Sequence, residues 1–323
     1  MKRSTKIWLI TATALIVCGI AAFGGIMLMF KWDFSKLSTV KYETNEHTVT
    51  SEYKGISVIT DTADVVFLPS YDGSTSVICN EAKNANHSIT VTKDGTLKIE
   101  LQDERKWYEY IGINFRSPKI TVYLPEGEHG ALLIKSDTGN VTISKDFKFD
   151  SINAEASTGS IECFASASGA MTAKASTGNV SIEKAGAASL CVSVSTGRIN
   201  VSDFVCNGPL KSNATTGSTK LTNVSCKSLS ASTSTGDVTL TRVIANDNFS
   251  IKSTTGNITL DSCDAQSISI SASAGNVKGT LLSHKIFAAK TSTGRIDVPQ
   301  STSGGICNIS TSTGDIKISV EEQ

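Results

Sequence analysis

Aromatic residues make up only 6% of this 323-residue chain, and it holds just 4 histidines and 5 prolines. Charge of one sign is missing too, since 30 basic groups balance 30 acidic ones. The balance leaves no cationic field for nucleic acid or polyanions. Setting aside Lys2, Arg3 and Lys6, the cations of the first thirty residues, leaves 27 basic against 30 acidic groups. The histidines (His47, His87, His129, His284) are scattered, and none has an acid or a nucleophile at an informative spacing. There is no Walker loop and no glycine–aspartate nonapeptide of the calcium-binding β-rolls. The 8 cysteines form no CxxC and no Cys/His cluster. The sequence therefore points to no catalytic residue, no cofactor and no metal.

What is present is a repeat. A Ser/Thr-Thr-Gly-polar-apolar phrase recurs with glycines at Gly139, Gly159, Gly178, Gly197, Gly217, Gly236, Gly256, Gly275, Gly294 and Gly314, every step being 19 or 20 residues. A period that short and constant is the mark of a solenoid, whose coils bury their apolar faces only against neighbouring coils. Seven residues before each glycine stands a large side chain such as Leu132, Ile152, Met171 or Phe249. Two and four after it come pairs such as Val141/Ile143 and Ile258/Leu260. Within each stretch the apolar residues alternate, which is strand period, and β-branched residues dominate.

Inward positions are odd offsets before the glycine and even offsets after it. Such a parity switch needs a residue spent on turning, so Thr-Gly marks a corner where glycine supplies positive φ. A weaker inward pair seven and nine residues on, such as Phe204/Cys206, switches parity again. Three runs per coil predict an all-β, parallel β-helix-like solenoid of roughly three sides. The threonines before the glycines are expected to stack in a ladder whose hydroxyls satisfy corner backbone groups.

Ahead of the repeats, an uncharged run from Ile7 to Phe30 follows Lys2, Arg3 and Lys6. At about 1.5 Å per residue it is long enough to span a bilayer. Trp8 and Trp32 sit at its two ends, and the positive-inside rule places the N-terminus in the cytoplasm. A cleaved signal peptide is the rival reading. The expected organisation is a cytoplasmic tail (1–6), a transmembrane anchor (7–30), a polar juxtamembrane linker (31–50), an irregular β capping region (51–130) and regular coils (131–323). The far end looks barely capped, with Glu321-Glu322-Gln323 following the last strand directly.

Two further features stand out. Cys206 and Cys226 share an inward phase one coil apart, close enough for a disulfide. Residues 105–116 concentrate Trp107, Tyr108, Tyr110 and Phe115 between Arg and Lys residues. They read either as a cap folded over the open first coil or as an exposed platform for sugar rings or lipid headgroups. Carboxylates at the outward offset three past glycine (Glu162, Asp297) are single among Thr and Lys, so no polysaccharide-cleaving cluster is drawn.

The Thr-Gly-(Asn/Asp/Ser/Arg)-Ile/Val corners, led by a strand ending Val122-Tyr123-Leu124-Pro125, resemble those of the bacterial putative-adhesin family of cell-envelope β-repeat domains. The resemblance covers roughly residues 50–320. It implies a solenoid at the cell surface without catalytic residues, and a link to envelope-stress systems. The expected function is a membrane-anchored, non-catalytic surface binding or structural module, acting as an adhesin or in contact with the cell wall. The alternatives are an accessory subunit signalling through a membrane protein and, remotely, a polysaccharide-active β-helix enzyme.

Overall fold

The computed structural model describes residues 3–34, 40–107 and 117–321. The apolar run forms one helix, α1 (Arg3–Met29), long and apolar enough to cross a membrane. It ends where Lys31 and Trp32 take positive φ (53° and 60°), and Trp32 N–H closes back on Met27 O at 2.8 Å. Left-handed residues at a helix C-terminus satisfy the carbonyls that the last turn leaves free.

Beyond it the protein is the expected all-β solenoid, with three strands per coil. The first face carries the strands that end at the Thr-Gly corner, such as Leu132–Thr138, Ile152–Thr158 and Ala170–Thr177, paired parallel and in register. The second face stacks the short runs after the glycine, Val141 on Ile161 on Val180 on Ile199. The third carries pairs such as Phe147–Phe149. Inward side chains from all three faces fill one continuous core, in which Phe67, Phe149, Phe204 and Phe249 are fully buried.

The corners explain the phrase. All ten repeat glycines have φ between 137° and 152°. At Gly217 a Cβ would fall closer than 3.0 Å to the carbonyl of Gly197 one coil away. Glycine is thus required both by its φ and by the approach of the next backbone. The polar residue after the glycine makes the ladder. Asn140 Oδ1 accepts from Ser160 N–H (3.0 Å), Asn179 Oδ1 from Arg198 N–H (2.9 Å) and Asn257 Oδ1 from Asn276 N–H (3.0 Å). The threonines before the glycine, by contrast, point into solvent. Hydroxyls two positions earlier reach the corner carbonyls, Thr233 Oγ1 to Gly217 O (3.2 Å) and Thr311 Oγ1 to Gly275 O (3.1 Å). The expected ladder therefore runs through the next polar residue, because the threonines lie on the outside of the bend.

The second corner uses left-handed residues that are not glycine: Lys184, Asp203, Asn223, Arg242 and Ser262, each six past the repeat glycine, at φ 50–54°. Asp203, Asn223 and Arg242 link there by side chain, Asn223 Nδ2 donating to Asp203 at 2.7 Å and Arg242 Nε to Asn223 at 2.5 Å.

The N-terminal end of the solenoid is closed by antiparallel strands. Here β1 (Tyr42–Val49), β2 (Gly55–Thr60), β3 (Asp64–Pro69), β4 (Thr75–Ala82), β5 (Ala85–Val91), β6 (Thr96–Asp103) and β7 (Lys119–Leu124) follow in order. β2 and β3 are a true coil, parallel to the first-face strand Leu132–Thr138 and to Val141–Ile143. β6 extends the first face and β5 turns antiparallel on it; β7 extends the second, with β4 and then β1 antiparallel beyond. Part of the stretch read as linker is therefore a strand, since β1 borrows its pairing from β4 rather than from an apolar pattern of its own.

The other end departs from chain order. Gly305–Thr313 pairs with the strand ending at Ala274 on one side and with Lys285–Thr293 on the other. Ile316–Val320 likewise lies between Val277–Leu281 and Ile296–Asp297. The final coil is inserted beneath its predecessor, so the coil at 285–297 is the outermost and Glu321 is not at the tip. Gly304 and Gly305 make the insertion possible. A Cβ on Gly304 would strike His284 O above, and one on Gly305 would strike Gln266 O below. Arg295, which has no side-chain acceptor to offer, occupies the outermost place in the corner ladder, its N–H donating to Asp315 Oδ1 (2.8 Å).

Candidate functional site

The first face bends outward before each corner, where two consecutive residues are exposed, and this leaves a groove along the coils. Its volume is about 620 Å³. It crosses six coils, from Lys135 and Asp137 to Ser232 and Ser234, or about 24 Å at 4.8 Å per coil. Small hydroxyl residues line it, among them Ser157, Ser176, Ser195 and Thr215. Its charges balance, Lys135 and Lys174 against Asp137 and Glu155: Lys174 Nζ pairs with Glu155 at 3.2 Å, while Asp137 accepts weakly from Ser157 at 3.4 Å. Ser232 Oγ bonds Asn213 Oδ1 at 2.7 Å. Such a surface can hydrogen-bond a neutral, hydroxyl-rich chain laid across the coils. It offers no aligned nucleophile and base.

The cap holds a second cluster, which the spacing of the sequence did not disclose. Glu81 on β4 and His87 on β5 point inward, at the parity of Val77, Cys79 and Ile89. Glu81 Oε2 accepts from both His87 N–H and Nδ1, each at 2.7 Å. Asn45 Nδ2 on β1 donates to Glu81 Oε1 (2.8 Å), and Thr60 Oγ1 on β2 meets His87 Nε2 at 2.9 Å. Burial disfavours the charged form of Glu81, but the bonds from His87 and Asn45 outweigh it and hold the carboxyl below its usual range. Cys79, fully buried beside them, is pushed up to about 12 by burial and by the charge of Glu81. The signal available beforehand was an acid and a histidine on the apolar side of two strands.

The other residues singled out from sequence are dispersed. The corner glycines form a single column on the first corner, ordered in space with Gly314 between Gly275 and Gly294. Trp107 is 76% exposed at the end of the segment after β6, while Tyr108, Tyr110 and Phe115 lie outside the described residues. Arg105 and Pro118, which flank that segment, line a small pocket together with Val40 and Tyr42. That places the two ends of the segment beside the start of β1. Cys206 and Cys226 are buried thiols in stacked positions, with Cys206 Sγ donating to Gly208 O at 3.3 Å.

Residues 53–218 and again 208–323 match the Toastrack DUF4097 family. The chain belongs to that family. Among solved structures, this Toastrack chain is similar to a putative adhesin from Bacteroides fragilis NCTC 9343, with 18% identity, 87% of this chain and 97% of that one covered, and a TM-score of 0.37. A putative adhesin from Parabacteroides distasonis ATCC 8503 gives 12%, 86%, 98% and 0.41. A putative lipid binding protein from the same organism gives 15%, 88%, 98% and 0.34. No curated protein matches the sequence.

Proposed function

We propose that this Toastrack protein is a non-catalytic surface module, held by α1 in the cell membrane with its solenoid outside, that lays its first-face groove along a neutral, hydroxyl-rich polymer of the wall. The observation that carries the reading is the groove itself, six coils long, lined by serines and threonines and charge-balanced. Its donors and acceptors sit on rigid stacked strands, so they are ordered before binding and little side-chain entropy is lost. Lys2, Arg3 and Lys6 support a cytoplasmic N-terminus. The adhesin names of the similar solved structures agree with a contact role.

The test is co-sedimentation of the full chain, in proteoliposomes, with isolated wall. Binding that is lost when Ser176 and Ser195 are both replaced by Trp, which fills the groove, supports the reading. Equal binding by wild type and variant sinks it. A membrane protein recovered instead of wall polymer after crosslinking in intact cells favours the accessory-subunit alternative. Trp107 supports a secondary contact with lipid headgroups, because it is exposed and its neighbour Arg105 shares a pocket with Val40 and Tyr42 at the start of the solenoid.

A further inference from the structure

We propose that Cys79, Glu81 and His87 form a zinc-type site buried in the cap. Their ligating atoms all lie within 4.8 Å of one another, and all three residues are buried. Zinc binds thiolate, imidazole and carboxylate at roughly 2.0–2.3 Å, which spaces tetrahedral ligands roughly 3.2–3.8 Å apart. The 2.7 Å contact between His87 Nδ1 and Glu81 Oε2 has to open by about an ångström, and the remaining separations, none above 4.8 Å, have to settle into the same range.

The outer partners are already in place. Asn45 holds Glu81 Oε1, while Oε2 keeps the bond from His87 N–H and has its second lone pair for the cation in place of Nδ1–H. Thr60 Oγ1 lies against His87 Nε2, so when a cation displaces the proton from Nδ1 the ring can take the Nε2–H form, donating to Thr60 Oγ1 and turning the Nδ1 lone pair to the ion. Among the described residues the thiol of Cys79 has no hydrogen-bond partner, and it is fully buried. Binding displaces one proton from Cys79 to solvent. The resulting thiolate and the carboxylate together neutralise a divalent cation, so the centre carries no net buried charge. A cavity of about 50 Å³ borders His87 and Thr60, lined also by Tyr42, Ala82 and Ala85, and provides the way in. Because the ligands and their partners come from β1, β2, β4 and β5, the ion would clamp the antiparallel cap shut.

The experiment titrates the full chain in detergent with cobalt(II) and zinc. The expected result is one equivalent of cobalt with a thiolate-to-cobalt charge-transfer band, displaced by zinc. Cys79→Ser should abolish the band, and Asn45→Ala should weaken binding about 10–100-fold. X-ray absorption of the zinc-loaded wild type, which needs no variant to fold, should read one sulfur among nitrogen and oxygen neighbours. Absence of stoichiometric cobalt, a band surviving Cys79→Ser, or several sulfur neighbours would each overturn the assignment.

Discussion

Gly217 lies in the middle of the array, and replacing it by Ala isolates the corner requirement. At φ 141° a residue with a side chain sits in territory that is essentially glycine's alone, at a cost of about 1–3 kcal/mol. The added Cβ also collides with Gly197 O, so the two coils must part locally. The backbone bonds that join them there are Gly197 N–H to Thr216 O (3.0 Å) and Ile199 N–H to Ser218 O (2.9 Å). Loosening both costs about 0.5–1.5 kcal/mol each. The sum, about 2–6 kcal/mol, is a large share of the stability of an ordinary domain.

Lys220, three residues on and exposed, controls for position: Lys220→Ala should change stability by less than about 0.5 kcal/mol. Gly294→Ala should cost less than Gly217→Ala, because the coil at 285–297 has one neighbour and can fray. Guanidinium titration followed by far-ultraviolet circular dichroism gives all three midpoints. Coincident midpoints for Gly217→Ala and Lys220→Ala would refute the reasoning.

Three other outcomes follow from the same geometry. Asn257→Ala removes the acceptor of Asn276 N–H and should cost about 0.5–1.5 kcal/mol, whereas Arg198→Asn supplies Ser218 N–H with a missing acceptor and should raise the melting temperature. Burial pushes the thiols of Cys163, Cys226 and Cys307 up to about 12 from 9.0. Their neutral forms therefore favour the fold fully below pH 9 and lose that advantage as pH rises towards 12, so stability should fall over that window. A Cys163→Ala/Cys226→Ala/Cys307→Ala variant should show a shallower decline in denaturant midpoints from pH 9 to 11. Finally, protease added to intact protoplasts should release the solenoid by cutting the chain between α1 and β1. Protection until lysis would reverse the proposed topology.

By itself the sequence determined the architecture. Its 19- to 20-residue period, the alternation on either side of Thr-Gly and the two parity switches prescribe a three-sided coil, because a strand's side chains have a fixed period of two and a corner must spend a residue. The apolar run at 7–30 prescribed α1 in the same way, by length and composition. Tertiary structure alone decided how the coils are ordered and what the cap brings together.

Every coil presents nearly the same edge, so the repeat cannot say which coil lies against which. That choice fell to Gly304 and Gly305, whose missing side chains let the last coil slide between Gln266 and His284. Asn45, Thr60, Cys79, Glu81 and His87 are separated by up to 42 residues and follow no repeat, so no spacing links them. They meet because β4 and β5 run antiparallel while β2 joins the parallel coils, a pairing that depends on burying one common core rather than on any local pattern.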